Sequence, residues 1–130
     1  KKIEAGADFF QTQCIYNMAR FREFVKQAND LGLTEKAYLL AGVTPMKSLG
    51  MAKHMKNNVP GIDVPDSIIK RLEGVEKKQQ ANEGIQMACE QIEEFKGMKG
   101  IAGVHLMCIE WEHRVPEIVE RAKLLPRPQV

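Results

Sequence analysis

Three observations predict an α/β fold that forms the C-terminal portion of a (β/α)8 TIM barrel. Three segments have the length of buried parallel strands: "ADFFQTQ", which begins like a core strand and ends in two glutamines, and the apolar runs "AYLLAGV" and "IAGVHLMCI". Helical patterns separate them, and repeated β/α units imply parallel strands with right-handed crossovers. Each run leads into a more polar segment, as at the active-site end of a barrel. Because about three strands cannot close a barrel, we expect residues 1–130 to be a single partial domain.

The first elements are delimited by glycines. Residues 1–5 are typical of the last turn of a helix, with Gly6 as its stop. Residues 7–13 form the first predicted strand. Apolar residues then recur at helical spacing over residues 18–31, with charged residues on the opposite side, and Gly32 ends this amphipathic helix.

The middle of the chain contains the second predicted strand, residues 37–43, followed by a helix from the capping residue Ser48 to about residue 57. The connector "NNVPGIDVPDS" contains two prolines and a glycine, which exclude regular structure for several residues. Pro65 suits the first turn of a short helix that Gly74 ends.

The apolar pattern in the last third of the chain predicts a long helix over residues 76–95 and a third strand over residues 102–108. A final helix, "PEIVERAKLL", is predicted to begin at Pro116. Pro126 and Pro128 cannot continue that helix. No GxGxxG motif follows any strand, which disfavours a dinucleotide-binding site of the Rossmann type.

Composition narrows the function classes. A net charge of +2 with scattered basic residues gives no reason to expect nucleic acid, and no apolar run is long enough to span a membrane. Three cysteines (Cys14, Cys89, Cys108) without CxxC spacing indicate reduced thiols in a cytoplasmic protein, with no metal site. The chain begins with Lys1, which favours a fragment or a processed chain.

The polar segments after the strands contain the candidate site residues. Period-2 alternation places Phe9, Gln11 and Gln13 on one face of the first strand. If that face looks toward the barrel axis, Gln13 lies in the top layer, where its amide can both donate to and accept from a ring edge such as a pterin or a carboxamide. The alternative is that the two glutamines bond each other and nearby backbone.

The third strand and its loop contain further candidates. His105 faces either inward or toward the helices, and a buried, neutral, hydrogen-bonded histidine is the default expectation. Trp111, beside Glu110, either forms a wall for a ligand or covers the barrel rim. His54 lies on a surface helix and is expected to be solvated.

Four segments in order resemble the methylenetetrahydrofolate reductase family. "KKIEAGADFFQTQCIYN" is similar to its AGAD-(x)₃-TQ strand motif, and "AGVTPMKSLGMAKHM" resembles the following strand and helix. "VPDSIIKRLEGVEKKQQANEGIQMACEQIEEF" and "GIAGVHLMCIEWEHRVPEIVERAKLLPRP" resemble the segments that complete the barrel, in the form found in anaerobic bacteria and archaea. The resemblance covers nearly the whole chain.

This resemblance implies a TIM barrel with a non-covalent flavin, FAD or in some members FMN. The implied reaction reduces 5,10-methylenetetrahydrofolate to 5-methyltetrahydrofolate with electrons from NAD(P)H or another donor. It implies that Gln13 contacts folate and nicotinamide in turn, and that Lys1 and Lys2 approach the flavin phosphates. Leu49 occupies a position where some members stack a phenylalanine on the substrate.

The chain departs from the family pattern at Glu110 and Trp111, where better-known bacterial members have Asn-Arg. In those members the arginine helps to bind the folate tail, so the resemblance leaves open whether Glu110 and Trp111 bind the tail here. The difference also implies a subfamily with a different electron donor or partner subunit. The family's acidic residues would lie before Lys1, which implies that this chain alone is not a competent enzyme. We expect the intact enzyme to be a homo-oligomer or to have a partner subunit.

Two other functions stay open on the sequence. One is a non-catalytic accessory subunit or truncated paralogue of an intact reductase. The other is a pterin- or folate-binding TIM-barrel methyltransferase that uses no flavin.

Overall fold

The computed structural model describes residues 1–126, which form an α/β structure with helices packed on a parallel sheet. Pro128, predicted to stop the last helix, lies outside the described residues. The strands and α-helices in chain order are β1 (Phe9–Cys14), α1 (Met18–Asp30), β2 (Tyr38–Val43), α2 (Leu49–Asn58), α3 (Asp66–Glu73), α4 (Gln80–Lys96), β3 (Gly103–Leu106) and α5 (Val115–Arg121).

The three strands form one parallel sheet in the order β1-β2-β3, as the β/α alternation predicts. Gln11 pairs with Leu40, and Leu40 pairs in turn with Gly103. Since all three strands run the same way, their carboxyl ends meet at one edge of the sheet. Both outer strands, β1 and β3, have an open edge within residues 1–126.

Local sequence explains where α1 begins and ends. The Asn17 side chain caps the first turn by accepting a hydrogen bond from the Arg20 N–H at 3.0 Å. At the other end Gly32 has a φ of 65°, and the Leu33 N–H bonds the Ala28 carbonyl at 2.9 Å. This is the Schellman ending that a glycine permits, so the predicted stop at Gly32 is confirmed.

The same ending occurs before β1. Gly6 has a φ of 95°, and the Ala7 N–H bonds the Lys2 carbonyl at 3.1 Å. The first residues therefore have the geometry of a helix C-terminus, as predicted, and Gly6 redirects the chain into the sheet.

Two predicted helix boundaries are wrong. The long helix begins at Gln80 instead of about residue 76, because Lys77–Gln79 form a separate 3-10 turn. The last helix ends at Arg121 instead of continuing to Leu125. There Lys123 adopts a φ of 53° and the Leu124 N–H bonds the Val119 carbonyl at 3.0 Å, which closes the helix without a glycine.

Within residues 1–126, helices cover one face of the sheet and leave the other uncovered. Leu39, Ala41 and Val43 of β2 are buried in the main core, where they meet residues of α1, α4 and α5. A second core cluster lies under α2 and α3 and includes Met46, Ala52 and Leu72. On the opposite face Phe9 and Tyr38 are 55% and 68% exposed, although aromatic side chains of this size are usually buried.

No helix among residues 1–126 is both long and apolar enough to cross a bilayer.

Candidate functional site

A cavity of about 490 Å³ lies at the carboxyl ends of the three strands. It collects side chains from the end of β1, the β2–α2 loop, α2 and the segment after β3. Its polar lining groups include Gln13, Thr44, Lys47, Ser48, His54 and Glu110. These side chains come from distant parts of the sequence and are brought together by the parallel sheet.

The end of β1 carries a bulge that shapes one side of this cavity. The register with β2 shifts between Gln11 and Cys14. The Thr12 hydroxyl accepts a hydrogen bond from the Gly42 N–H at 2.9 Å and donates one to the Gln13 carbonyl at 2.8 Å. A Cβ on Gly42 would lie 2.5 Å from the Gln13 carbonyl oxygen, so this close approach requires glycine.

The alternation predicted for β1 is confirmed. Phe9, Gln11 and Gln13 are exposed on the uncovered face of the sheet, whereas Phe10, Thr12 and Cys14 are half-buried on the other. Thr12 bonds the backbone of the bulge, and Gln13 is one of the residues that line the cavity. The role of Gln13 in binding substrate and cofactor stays a prediction.

His105 shares the uncovered face. Its strand neighbours Val104 and Leu106 pack against the main core, so alternation places His105 on the side of Gln13, with Gly42 paired to it on β2. Its Nδ1 is buried and has no hydrogen-bond partner within residues 1–126. The expectation of a buried, neutral, hydrogen-bonded histidine stays a prediction for His105.

Lys47 and Glu110 close the cavity from two different loops. The Lys47 ammonium donates a hydrogen bond to the Glu110 carbonyl at 3.1 Å. Glu110 has a φ of 50°, an unfavourable conformation for a residue with a side chain, and its N–H is bonded by the Glu112 carboxylate at 3.1 Å. Two side chains thus hold the loop after β3 in a conformation that its own backbone disfavours.

Buried polar groups lie beneath the cavity. Thr44 is 1% exposed, and its carbonyl accepts a 2.8 Å hydrogen bond from the buried Tyr16 hydroxyl. Burial raises the pKa of the Tyr16 hydroxyl well above its ordinary range. Burial also raises the pKa of the Cys14 thiol, against a smaller opposing effect of the Thr44 hydroxyl. Both groups are therefore protonated near neutral pH and act as neutral packing elements.

Leu49 and Trp111 pack mainly against protein. Leu49 is the first residue of α2, is half-buried against the second core cluster, and its N–H bonds the Gln80 side chain at 3.0 Å. Trp111 packs on the main core, with the Arg114 guanidinium 5.0 Å from its ring centre. This placement favours the rim role of Trp111 over the ligand wall, and contact of either side chain with substrate stays a prediction.

Lys1 and Lys2 do not share the cavity with Gln13. They are exposed and line a separate cleft of about 530 Å³ along the open edge of β1, together with Phe10, Gln11 and Thr12. Their predicted approach to a phosphate group stays a prediction.

Among residues 1–126 no cluster of histidine, cysteine or acidic side chains could hold a metal ion.

Comparison of the sequence with known proteins identifies the family of this chain. The family model described as methylenetetrahydrofolate reductase matches residues 1–123. The chain belongs to the methylenetetrahydrofolate reductase family. It is similar to methylenetetrahydrofolate reductase 2 of Schizosaccharomyces pombe, with 28% identity over 134 residues, which is 98% of this chain. The chain spans 21% of the length of that relative.

The predicted family resemblance is thereby confirmed for nearly the whole chain. Sequence reasoning assigned no individual roles to Lys47 and Ser48, although both lie in the polar segment after β2 that it expected at the active-site end of the strands. It also missed His54, which is exposed as expected and bonds Asn58 at 3.2 Å, yet borders the cavity.

Proposed function

We propose that this chain forms the C-terminal part of a (β/α)8 barrel that reduces 5,10-methylenetetrahydrofolate to 5-methyltetrahydrofolate with a bound flavin. The observation that carries the proposal is the family match over residues 1–123 in a chain whose strand ends converge on a cavity lined by polar and apolar side chains. The active sites of TIM barrels lie at that end of the strands.

The uncovered sheet face supports the barrel. Phe9 and Tyr38 are exposed on the face away from the helices, and β1 and β3 both have open edges. A closed barrel would bury these aromatic side chains in its interior and pair both edges. The same closure would cover His105, whose Nδ1 lacks a hydrogen-bond partner in the described chain.

The flavin would supply hydride transfer, FAD being the first choice and FMN the second. Two features of this chain fit such a group: an uncommitted amide at Gln13 on the cavity side of the sheet, and two exposed ammonium groups at Lys1 and Lys2 beside the open edge of β1. Lysines neutralise phosphate as point charges, and an amide can orient a ring with both donors and acceptors.

The chain's own residues would position the substrate. Gln13 would hydrogen-bond the pterin edge of the folate, and the Thr12–Gly42 contact would fix the backbone from which that amide projects. The buried Tyr16 and the half-buried Cys14, both protonated, would limit the access of water from beneath it. We propose that the electron donor is NAD(P)H or another reductant, and that the intact enzyme is an oligomer or has a partner subunit.

The test is turnover by the intact protein that contains this chain. Purified anaerobically and reduced, it is expected to carry a visible flavin spectrum and to be reoxidised by 5,10-methylenetetrahydrofolate, with 5-methyltetrahydrofolate as the product. A colourless protein that neither binds flavin nor forms this product would overturn the proposal. Tight folate binding without flavin would instead favour the methyltransferase alternative, and copurification with a larger active reductase would favour the accessory subunit.

A further inference from the structure

Lys47 is a cation at the strand-end cavity whose partner is a neutral group. Its ammonium donates to the backbone carbonyl of Glu110 at 3.1 Å. The carbonyl holds the side chain in place, and no carboxylate among residues 1–126 forms an ion pair with it. An ammonium positioned in this way at a ligand cavity favours the binding of an anionic group.

Other cations near this end of the sheet have carboxylate partners. Arg114 stacks on Trp111 and pairs with Glu117 at 2.8 Å. On α2, Lys53 pairs with Glu73 at 3.1 Å. Lys47 differs from these because it borders the cavity and contacts a carbonyl oxygen instead of a carboxylate.

The surroundings of Lys47 also favour an anion. Helix α2 begins at Leu49, so its positive end lies next to Lys47. The first N–H groups of that helix are occupied, since Ser48 accepts from Met51 at 3.1 Å and Gln80 accepts from Leu49 at 3.0 Å. The contact with the anion is therefore assigned to the Lys47 side chain. Glu110 also lines this cavity, and its carboxylate opposes the binding of an anion close to it.

We propose that Lys47 binds a carboxylate of the glutamate tail of the folate substrate. This inference rests on the proposed function, since it takes folate as the ligand. At neutral pH the glutamate tail carries the negative charges of a folate, whereas the pterin ring is neutral. The β2–α2 loop would thus recognise the tail, while Gln13 on β1 recognises the ring.

The test compares two ligands that differ in the tail alone. Folate and the carboxamide of pteroic acid share the pterin and the aminobenzoyl amide, and the carboxamide lacks the glutamate and therefore its negative charges. Dissociation constants of both are measured by calorimetry on the intact protein, for the wild type and for Lys47→Met, Lys47→Arg and Lys53→Met. Lys53→Met is the matched control, because it removes an ammonium from the same helix region at a residue that pairs with Glu73.

We expect Lys47→Met to weaken folate binding about tenfold, equivalent to about 1.4 kcal/mol, and to leave binding of the pteroic acid carboxamide unchanged. Lys47→Arg should restore most of the folate affinity, and Lys53→Met should leave both affinities unchanged. Equal losses for both ligands, or no loss for folate, would overturn the role of Lys47 while leaving the proposed function intact. A wild-type protein that binds neither ligand would overturn both proposals.

Discussion

Helix α4 crosses the β2–α2 loop at Gly84, and replacing this glycine with alanine should destabilise the protein. A Cβ at residue 84 would lie 1.7 Å from the Met46 carbonyl oxygen and 2.7 Å from its carbonyl carbon. Both are backbone atoms, so no side-chain rotation can relieve the overlap. Because ordinary contact begins near 3.4 Å, the helix and the loop must separate by about 1.7 Å.

Two opposing effects set the size of the change. Alanine is favoured over glycine in a helix interior by about 1 kcal/mol. Overpacking against a fixed backbone costs typically 1–3 kcal/mol and here exceeds that range, because the overlap is with backbone on both sides. We therefore expect a net loss of at least about 2 kcal/mol in the free energy of unfolding for Gly84→Ala. The displaced loop carries Lys47, so the cavity should be perturbed as well.

Gly50→Ala is the matched control. It makes the same substitution in helix α2, where the nearest atom to a new Cβ is the Ser48 hydroxyl at 3.7 Å. Only the helix preference applies there, and the variant should be up to about 1 kcal/mol more stable than the wild type. Urea unfolding of the intact protein, followed by circular dichroism, measures both variants. A Gly84→Ala protein as stable as the wild type would refute the close helix–loop contact.

Three further predictions concern buried and paired groups. Tyr16→Phe removes the buried hydrogen bond to the Thr44 carbonyl. Because that acceptor is left unpaired, the free energy of unfolding should fall by about 1–3 kcal/mol. An unchanged urea midpoint would contradict this prediction. Burial raises the pKa of the Cys14 thiol above its ordinary 9.0. Cys14 should therefore react with iodoacetamide at pH 8 far more slowly in the folded protein than in urea. Equal rates of modification, measured by mass spectrometry, would contradict its burial. Arg71 lowers the pKa of the Glu90 carboxyl below its ordinary 4.5, so this pair stabilises the fold above that pH, and the stabilisation is lost as the pH falls through the lower pKa of the folded state. Arg71→Met should therefore flatten the acidic part of the curve of unfolding free energy against pH. An unchanged curve would exclude the pair as the cause of that slope.

The strands and most helix ends were predictable because their causes are local. Apolar runs of strand length, a capping Ser48 and the glycines at residues 6 and 32 each act within a few residues of chain. The two helix boundaries that were predicted wrongly depend on features that the local sequence does not reveal. Gln80 is buried because its amide bonds both Leu49 and Leu72, which are distant in sequence. Lys123 takes a conformation usually reserved for glycine.

The candidate site was predictable only in part. Alternation along β1 was sufficient to place Gln13 on the uncovered face. The bulge beside it depends on how closely β1 approaches Gly42, which no pattern within β1 reveals. The contact of Lys47 with Glu110 joins loops 63 residues apart, so it follows from the tertiary fold alone. The partnerless nitrogen of His105 likewise depends on what covers the sheet.

The most direct test of the account is the rate at which 5,10-methylenetetrahydrofolate reoxidises the reduced intact protein when Gln13 is replaced. In anaerobic stopped-flow measurements, Gln13→Ala should slow this half-reaction about tenfold or more, as expected for the loss of a hydrogen bond that orients the substrate. Gln27→Ala, on the exposed surface of α1, should react at the wild-type rate. A Gln13→Ala protein that reacts as fast as the wild type would contradict the claim that the end of β1 meets the substrate.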